Sequence, residues 1–298
     1  MPMLTRRKAA AGLVATLIAP AALAQNGSDV LKRVIPHGGE ALPAVGLGTA
    51  ISIYDNDSDA NRRKTAAVLQ ALIASGARLV DTASTYGDAE TVLGAVIAAN
   101  SLRDKLFIAS KLEAPDPDEL KRSLARLQVA KLDLLQFHNV RRADQSLGRF
   151  RDWKAQGLCR YIGITSTFRS DLPAIEAVVA REKPDFVQVD YSIDNREAEK
   201  RLLPVAADAG AGVLTALPFG RGRLFRAVHG REMPDWAREL AGSWAQFFLK
   251  YLLGDALVTA VIPGTADPAH MTDNAGAMRG PLPDPAQRRR MRDFVEAL

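Results

Sequence analysis

The sequence predicts an α/β protein: a closed (β/α)8 TIM barrel in which eight parallel strands alternate with helices. Short apolar runs of strand length alternate with amphipathic helical stretches along almost the whole chain. The chain has 298 residues, 47% hydrophobic and 24% charged, which is ordinary globular composition and enough for one barrel. A doubly wound open sheet is disfavoured because it expects Gly-x-Gly-x-x-Gly after its first strand. The run that starts at Gly46-Leu47-Gly48 lacks the third glycine.

Eight apolar runs are the predicted barrel strands, each followed by turn residues or by a helical stretch. They are Ala44–Gly48, Arg78–Ala83, Leu106–Lys111, Leu132–His138, Cys159–Thr165, Phe186–Tyr191, Gly212–Leu217 and Leu257–Ile262. Strands and helices that alternate in this way are typical of parallel sheets.

Seven segments between these strands have helical periodicity, and several are followed directly by a glycine that stops a helix. They are Asp59–Ser75, Ala89–Ala99, Pro117–Leu127, Ser146–Gln156, Asp171–Arg181, Arg196–Ala209 and Ala237–Leu253. Two further elements flank the barrel. Residues 34–42 predict an N-terminal β-hairpin that plugs the barrel, and Pro283–Leu298 predicts an extra C-terminal helix. Residues 25–298 are therefore predicted to form a single domain.

Residues 1–24 predict a signal peptide. Arg6, Arg7 and Lys8 precede an uncharged run that ends in Ala22-Leu23-Ala24, a small-x-small cleavage pattern. The paired arginines and the alanine-rich run favour the twin-arginine export machinery as a partner, with general secretion as the open alternative. The uncharged run is shorter than the ~20 residues of a bilayer span, so we expect cleavage and no stable membrane insertion of the mature chain. The predicted location is periplasmic or otherwise exported.

The net charge of +5 does not predict nucleic-acid binding. The leader carries much of the excess, and no basic stripe with interleaved aromatic residues follows it. The run Arg288-Arg289-Arg290 is interpreted as the solvated face of the terminal helix. No metal site is predicted, because the four histidines have neither His-x-His nor His-x-x-x-His spacing.

Polar residues mark the ends of three consecutive strands. Asp81 and Tyr86 follow predicted strand two, Lys111 ends strand three and His138 ends strand four. Active sites in these barrels lie at the C-terminal ends of the strands. The four side chains are therefore predicted to meet at one mouth as a catalytic cluster.

Such a cluster suits the reduction of a carbonyl group, because hydride addition leaves an alkoxide that needs a proton. An ammonium group at Lys111 favours the phenolate of Tyr86 and makes the phenol a stronger acid, while Asp81 keeps that ammonium charged and placed. His138 is expected to hydrogen-bond the substrate oxygen and to assist proton delivery. Each residue alone has a structural explanation as an ion pair, a loop cap or a buried histidine. Their coincidence on consecutive strand ends favours catalysis.

The motif Asp81-x-Ala-x-x-Tyr86-Gly-x-x-Glu90 resembles the aldo-keto reductase superfamily. Other landmarks of the resemblance follow in the family's order: Gly163-Ile164-Thr165-Ser166, residues 186–192, residues 218–222 and Ile262-Pro263-Gly264-Thr265. The similarity runs from residue 32 to about residue 280. Residues 195–199, 243–250 and 270–274 are most similar to an exported bacterial branch with twin-arginine leaders.

The resemblance implies NADPH, or NADH as the open alternative, bound extended across the barrel mouth. It implies that Thr165, Ser166 and Gln188 hold the nicotinamide and that Pro218, Gly220 and Gly222 lie along the pyrophosphate. The adenosine end is assigned to Gly264, Thr265, His270 and Asn274. Many relatives carry Lys at the position of Gly264 and Arg at that of His270, where they neutralise a 2′-phosphate. The preference for NADPH therefore follows family habit alone.

The expected reaction is NAD(P)H-dependent reduction of a small aldehyde or ketone, with Tyr86 as the proton donor. Candidate substrate-lining residues, for which local packing is the alternative, are Ile53, Tyr54, Phe168, Phe219 and Trp236. A second function stays open, namely an exported nucleotide-binding sensor barrel with negligible turnover. The intact catalytic cluster argues against it, since a pure binder has no need of a tuned phenol.

Overall fold

The computed structural model describes residues 29–50, 53 and 56–298, so the predicted leader lies outside the described residues. Eight parallel strands form one sheet, hydrogen-bonded in sequence order. They are β3 (Gly46–Gly48), β4 (Leu79–Asp81), β5 (Phe107–Leu112), β6 (Leu132–Phe137), β7 (Cys159–Ser166), β8 (Phe186–Asp190), β9 (Gly212–Ala216) and β10 (Val258–Val261). Each corresponds to one predicted strand, and the predicted barrel fold is confirmed.

The sheet curls until its first and last strands meet. Val45 bridges Val261 and Gly48 bridges Gly264, both in parallel orientation. The Gly48 amide donates to the Pro263 carbonyl at 3.0 Å. Closure leaves few unpaired edge groups. It also brings the carboxyl ends of all eight strands to one mouth of the barrel.

The predicted hairpin is present as β1 (Lys32–Val34) and β2 (Ala41–Pro43), which pair in antiparallel orientation. Ile35 and Leu42 are fully buried and pack in the same apolar cluster as Phe107, at the amino ends of the barrel strands. The hairpin therefore plugs the end of the barrel opposite the predicted site.

Helices cover the outside of the barrel. In the described part of the chain they are α1 (Asp59–Ala74), α2 (Ala89–Ala99), α3 (Pro117–Leu127), α4 (Gly148–Ala155), α5 (Leu172–Glu182), α6 (Glu197–Lys200), α7 (Leu202–Asp208), α8 (Arg223–Ala227), α9 (Asp235–Arg238), α10 (Trp244–Leu253), α11 (Pro268–Gly276) and α12 (Pro285–Glu296). None of these helices combines the length and the apolar character that a membrane crossing requires.

Two predicted helices are interrupted. The prediction of one helix over Arg196–Ala209 is wrong, because α6 and α7 are separated at Arg201, whose φ is −141°. Pro204 explains the break, since its ring clashes with a helical carbonyl four residues earlier but is tolerated in a helix's first turn. The predicted helix over Ala237–Leu253 is likewise two helices, and the second starts at Trp244, directly after Ser243, whose side chain caps it.

The terminal helix α12 is present, but Arg288 does not lie on a solvated face. Its Nη2 donates to Tyr191 Oη at 2.8 Å and to Glu199 Oε1 at 3.0 Å. Its guanidinium carbon lies 4.7 Å from the ring centroid of Tyr251. The interpretation of residues 288–290 as solvated is therefore wrong for Arg288, which anchors α12 to the barrel.

Candidate active site

The four predicted catalytic residues converge at the carboxyl ends of the adjacent strands β4, β5 and β6. Asp81 ends β4, Lys111 lies near the end of β5, and His138 directly follows β6. Tyr86 lies in the turn between β4 and α2, where its amide donates to Ala83 at 3.1 Å. The contacts described below join all four side chains at one barrel mouth.

Lys111 and Asp81 form a buried ion pair. The Lys111 Nζ lies 2.6 Å from Asp81 Oδ2 and also donates to the Thr82 carbonyl at 2.7 Å. Burial disfavours the ammonium form, but Asp81 and Tyr86 together outweigh burial and raise the pKa of Lys111. Lys111 therefore keeps its charge inside the barrel.

The phenol of Tyr86 lies between the lysine and the histidine. Lys111 Nζ is 4.8 Å from the centroid of the Tyr86 ring. The His138 ring meets the Tyr86 ring edge-on, with the centroids 5.9 Å apart. A cation on a ring face together with an imidazole edge fixes the phenol ring, and Lys111 is also a hydrogen-bond partner of the Tyr86 side chain.

His138 is held in the neutral form. Burial, with smaller contributions from the charges of Lys111 and Arg141, lowers the pKa of His138 to about 3. Glu113 Oε1 lies 2.6 Å from His138 Nδ1 and favours the opposite, protonated form. The Glu113 side chain is 42% exposed and its charge is screened by water, so burial decides. At neutral pH the imidazole is therefore a hydrogen-bonding group and not a cation.

A fifth polar side chain, Gln136, joins this cluster, and sequence reasoning missed it. Its Nε2 donates to Gln188 Oε1 at 2.8 Å and to Asp81 Oδ1 at 3.3 Å. Gln188 Nε2 in turn donates to Asp81 Oδ2 at 3.2 Å. The available signal was the alternation of strand side chains: Gln136 precedes His138 by two positions and so shares its face of β6.

The residues assigned to the nicotinamide lie on the next two strands. Thr165 and Ser166 end β7, and Thr165 is in register with Gln188 on β8. All three are buried. The hydroxyl of Ser166 donates to Asp171 Oδ2 at 2.6 Å and accepts from the Phe168 amide at 3.1 Å, so its contacts within the protein fix its orientation. The amide of Gln188 belongs to the ring with Gln136 and Asp81.

The loop assigned to the pyrophosphate has an unusual backbone. Pro218 is buried, and Gly220 and Gly222 have positive φ values of 56° and 82°. Leu217 and Arg221 also have positive φ, 55° and 54°, which is costly for residues with a Cβ. Backbone strain of this kind is concentrated at ligand-binding loops.

The residues assigned to the adenosine end lie around the start of α11. A groove of about 530 Å³ is lined by Lys64, Thr265, Ala266, Asp267, Pro268 and His270. Gly264 is exposed next to it, and Asn274 is buried on α11. Lys64 was not predicted, because a lysine on the surface of an amphipathic helix such as α1 carries no sequence signal of its own.

The candidate substrate residues do not form one cluster in the structure. Tyr54 lies outside the described residues, and Ile53 is buried. Phe168 is 50% exposed beside the mouth, while Phe219 packs against another ring on α8. Trp236 packs between α10 and α12, so the packing alternative describes its position.

The residues within 29–50, 53 and 56–298 include no cluster of three or more His, Cys, Asp or Glu side chains arranged to hold a metal ion. The polar groups at the mouth are instead a carboxylate, an ammonium, a phenol, a neutral imidazole and two amides. Such a set donates and orients protons.

Comparison with known proteins identifies relatives over most of the chain. The model of the Aldo/keto reductase family matches residues 44–291. Methylglyoxal reductase YeaE of Escherichia coli (strain K12) is 30% identical over 261 residues, which cover 83% of this chain and 89% of that protein. An aldo-keto reductase of Mycobacterium avium (strain 104) is 28% identical over 260 residues, 84% of this chain and 85% of its own length.

Solved structures of aldo-keto reductases also superpose on most of this chain. An aldo-keto reductase from Klebsiella pneumoniae in complex with NADPH superposes with a TM-score of 0.72 at 25% identity, covering 89% of this chain and 95% of that one. A second structure from Klebsiella pneumoniae, in complex with NADP and acetate, gives a TM-score of 0.74 at 25% identity, with coverages of 89% and 96%.

Proposed function

The chain belongs to the aldo/keto reductase family, and we propose that it reduces aldehydes or ketones to alcohols with NADPH, using Tyr86 as the proton donor. One observation carries the assignment of Tyr86. The buried ammonium of Lys111, paired with Asp81 at 2.6 Å, lies 4.8 Å from the centre of the phenol ring. A fixed positive charge in that position stabilises the phenolate that remains after the proton has left.

The proton leaves the hydroxyl of Tyr86 as negative charge develops on the substrate oxygen. Asp81 keeps Lys111 charged and in place, so the electrostatic arrangement exists before the reaction and needs no rearrangement during it. The substrate carbon receives a hydride, which is the chemistry that a reduced nicotinamide supplies when bound.

His138 positions the carbonyl group. A neutral imidazole donates or accepts hydrogen bonds without adding a charge, and its ring is fixed against Tyr86. It therefore orients the substrate oxygen towards the phenol, while proton donation is assigned to Tyr86 alone.

The described residues fit an extended dinucleotide. Thr165 and Gln188 are placed to bind the carboxamide, and the strained loop at Pro218, Gly220 and Gly222 offers close backbone approach for the pyrophosphate. The groove at Thr265 and His270 suits the adenosine end, where Gly264 and Asn274 also lie. Lys64 places a positive charge in this groove, which supports NADPH over NADH.

Small, reactive carbonyl compounds are the proposed substrates. The E. coli relative is named for methylglyoxal reduction. Phe168 is half exposed beside the mouth and offers an apolar surface to a short carbon chain. We therefore begin a substrate panel with methylglyoxal and simple aldehydes.

The test uses purified residues 25–298, with NADPH and NADH titrated separately by nucleotide fluorescence and the aldehyde panel then added. We expect NADPH to bind more tightly than NADH and the aldehydes to oxidise it. Binding without oxidation favours the nucleotide-sensor function. No binding of either nucleotide contradicts the reductase function.

We also propose export by the twin-arginine route, supported by Arg6-Arg7 and the run that ends at Ala24. This route transports folded proteins, so a cytoplasmic nucleotide can be bound before export. The test is N-terminal sequencing of the exported protein, alone and with both arginines changed to lysine. We expect a mature chain that begins at Gln25 and an Arg6→Lys/Arg7→Lys variant retained as precursor. Equal export of the variant would favour general secretion.

A further inference from the structure

Gln136 has no part in the proton transfer or nucleotide binding described above, yet its side chain contacts both sets of residues. It is fully buried within the barrel, on β6. We infer that Gln136 is a positioning residue, which fixes the orientations of Asp81 and Gln188 and so couples the proton-transfer cluster to the nicotinamide-binding side chains. The inference rests on the proposed function, because it concerns the same active site.

The first argument is the number of donors. One amide nitrogen at Gln136 donates to two acceptors, Gln188 Oε1 at 2.8 Å and Asp81 Oδ1 at 3.3 Å. Only an amide of this length offers two hydrogens on one neutral atom. A glutamate offers at most one hydrogen and a leucine none.

The second argument concerns Asp81. Its Oδ2 accepts from Lys111 at 2.6 Å and from Gln188 at 3.2 Å. Among the side chains that the structure describes, Gln136 is the one donor to Oδ1. With a donor on each oxygen the carboxylate plane is fixed, and the direction of the Lys111 ammonium is fixed with it.

The third argument concerns Gln188. Because its Oε1 accepts from Gln136, its Nε2 must be the atom that faces Asp81. Gln188 is therefore held at both ends of its amide. Without Gln136 the carbonyl end loses its donor, and the amide is held at Asp81 alone, so its plane can rotate away from the orientation that a nicotinamide carboxamide requires.

The fourth argument is that a glutamine at position 136 stabilises the folded protein less than an apolar side chain of similar size would. Gln136 Oε1 is buried and, among the described residues, has no hydrogen-bond partner. An unpartnered buried oxygen disfavours the folded state, and an apolar side chain of similar size avoids that cost. The two donated hydrogen bonds account for the residue, and both go to the active site.

The test compares Gln136→Glu and Gln136→Leu with the wild type and with the control Ser110→Ala. Ser110 is also fully buried and lies on β5, but its hydroxyl donates to Glu90 at 2.7 Å, outside the cluster. The control thus loses a buried hydrogen bond without touching the active site. Each protein is measured for melting temperature, NADPH affinity, and kcat/KM as a function of pH.

Gln136→Glu keeps the shape but donates only when protonated, and its ionised form repels Asp81. We expect its kcat/KM to be about 100-fold below wild type at neutral pH and to recover in part as the pH falls, because the protonated carboxyl donates one of the two hydrogen bonds. Gln136→Leu should lose turnover at every pH and bind NADPH about tenfold more weakly. Ser110→Ala should lower the melting temperature alone.

A merely structural role predicts another result: altered melting temperatures with the pH profile and NADPH affinity of the wild type. That result, in either Gln136 variant, overturns the inference. Gln136→Glu preserves the side-chain shape and carries the test if Gln136→Leu fails to fold. A wild type that binds no nucleotide overturns the proposed function itself, whereas an active wild type with unaffected variants overturns the inference alone.

Discussion

Tyr86 contributes one reactive group to the cluster, its hydroxyl. A phenylalanine at this position would keep the aromatic ring and remove only that hydroxyl. The ring contacts with Lys111 and His138 do not need the hydroxyl. We therefore predict that Tyr86→Phe lowers kcat about a thousandfold and leaves NADPH affinity within about twofold of wild type. Steady-state rates and a fluorescence titration measure the two. A large loss of affinity would show that Tyr86 is structural.

His138 makes the folded state sensitive to acid. Burial disfavours the imidazolium and lowers the pKa of His138 in the folded protein from its ordinary value of 6.5 to about 3. Between these values the unfolded chain binds a proton that the folded protein does not. The free energy of unfolding therefore falls as the pH falls from 6.5 towards 3. The contribution of His138 is complete above pH 6.5.

His138→Gln removes this titration and leaves other acid-sensitive groups unchanged. The melting temperature of wild type, relative to that of His138→Gln, should fall as the pH falls from 6.5 to 4. Thermal unfolding from pH 8 to pH 4 measures it. A difference that does not change with pH would mean that His138 is not held neutral by the fold.

The catalytic cluster of Asp81, Tyr86, Lys111 and His138 was predictable from sequence, because each member lies at or just after the end of an apolar run. Barrel enzymes have their catalytic residues at such positions. Gln136 and Lys64 were not predictable. Gln136 is inside a strand that was recognised by its apolar residues, and Lys64 resembles any surface lysine. Gln188, which Gln136 contacts, and His270, which lines the same groove as Lys64, are distant from them in sequence, so only the closed barrel reveals these arrangements.

At the scale of single elements, the strands were predicted well because parallel strands buried on both faces are continuous apolar runs. The helices α2 and α3 have the predicted bounds. The segment around Arg201 was predicted as one helix because its apolar spacing continues through Pro204. Apolar periodicity shows which face of a helix is buried but does not reveal a backbone clash. The break in the helix could have been predicted only from the proline.

Helix α12 depends on Arg288. We predict that Arg288→Leu lowers the free energy of unfolding by about 2 kcal/mol, since Glu199 and Tyr191 lose a partly buried charged donor. The matched control is Arg289→Leu, because Arg289 is the exposed neighbour on the same helix. Denaturant unfolding measures both. Equal effects of the two substitutions would contradict the anchoring role.

At the scale of the whole molecule, barrel closure makes one site from residues that are far apart in the chain. The Gly48–Gly264 bridge joins the first barrel strand to the segment after the last one, and the β6–β7–β8 pairings bring Gln188 close to Gln136. Sequence periodicity predicted the order of elements and the mouth at which they end. It did not predict the hydrogen-bonded ring inside the barrel, because alternation says which side chains point inward and not which of them meet.

Transfer of the hydride itself tests the central claim most directly. The purified enzyme is incubated with NADPH that carries deuterium on the transferable position of the nicotinamide, and with an aldehyde, and the alcohol is analysed by mass spectrometry. Wild type is predicted to place one deuterium on the former carbonyl carbon, and Tyr86→Phe to form almost no alcohol. An unlabelled alcohol, or no alcohol from wild type while nucleotide binds, would contradict the assignment as a carbonyl reductase.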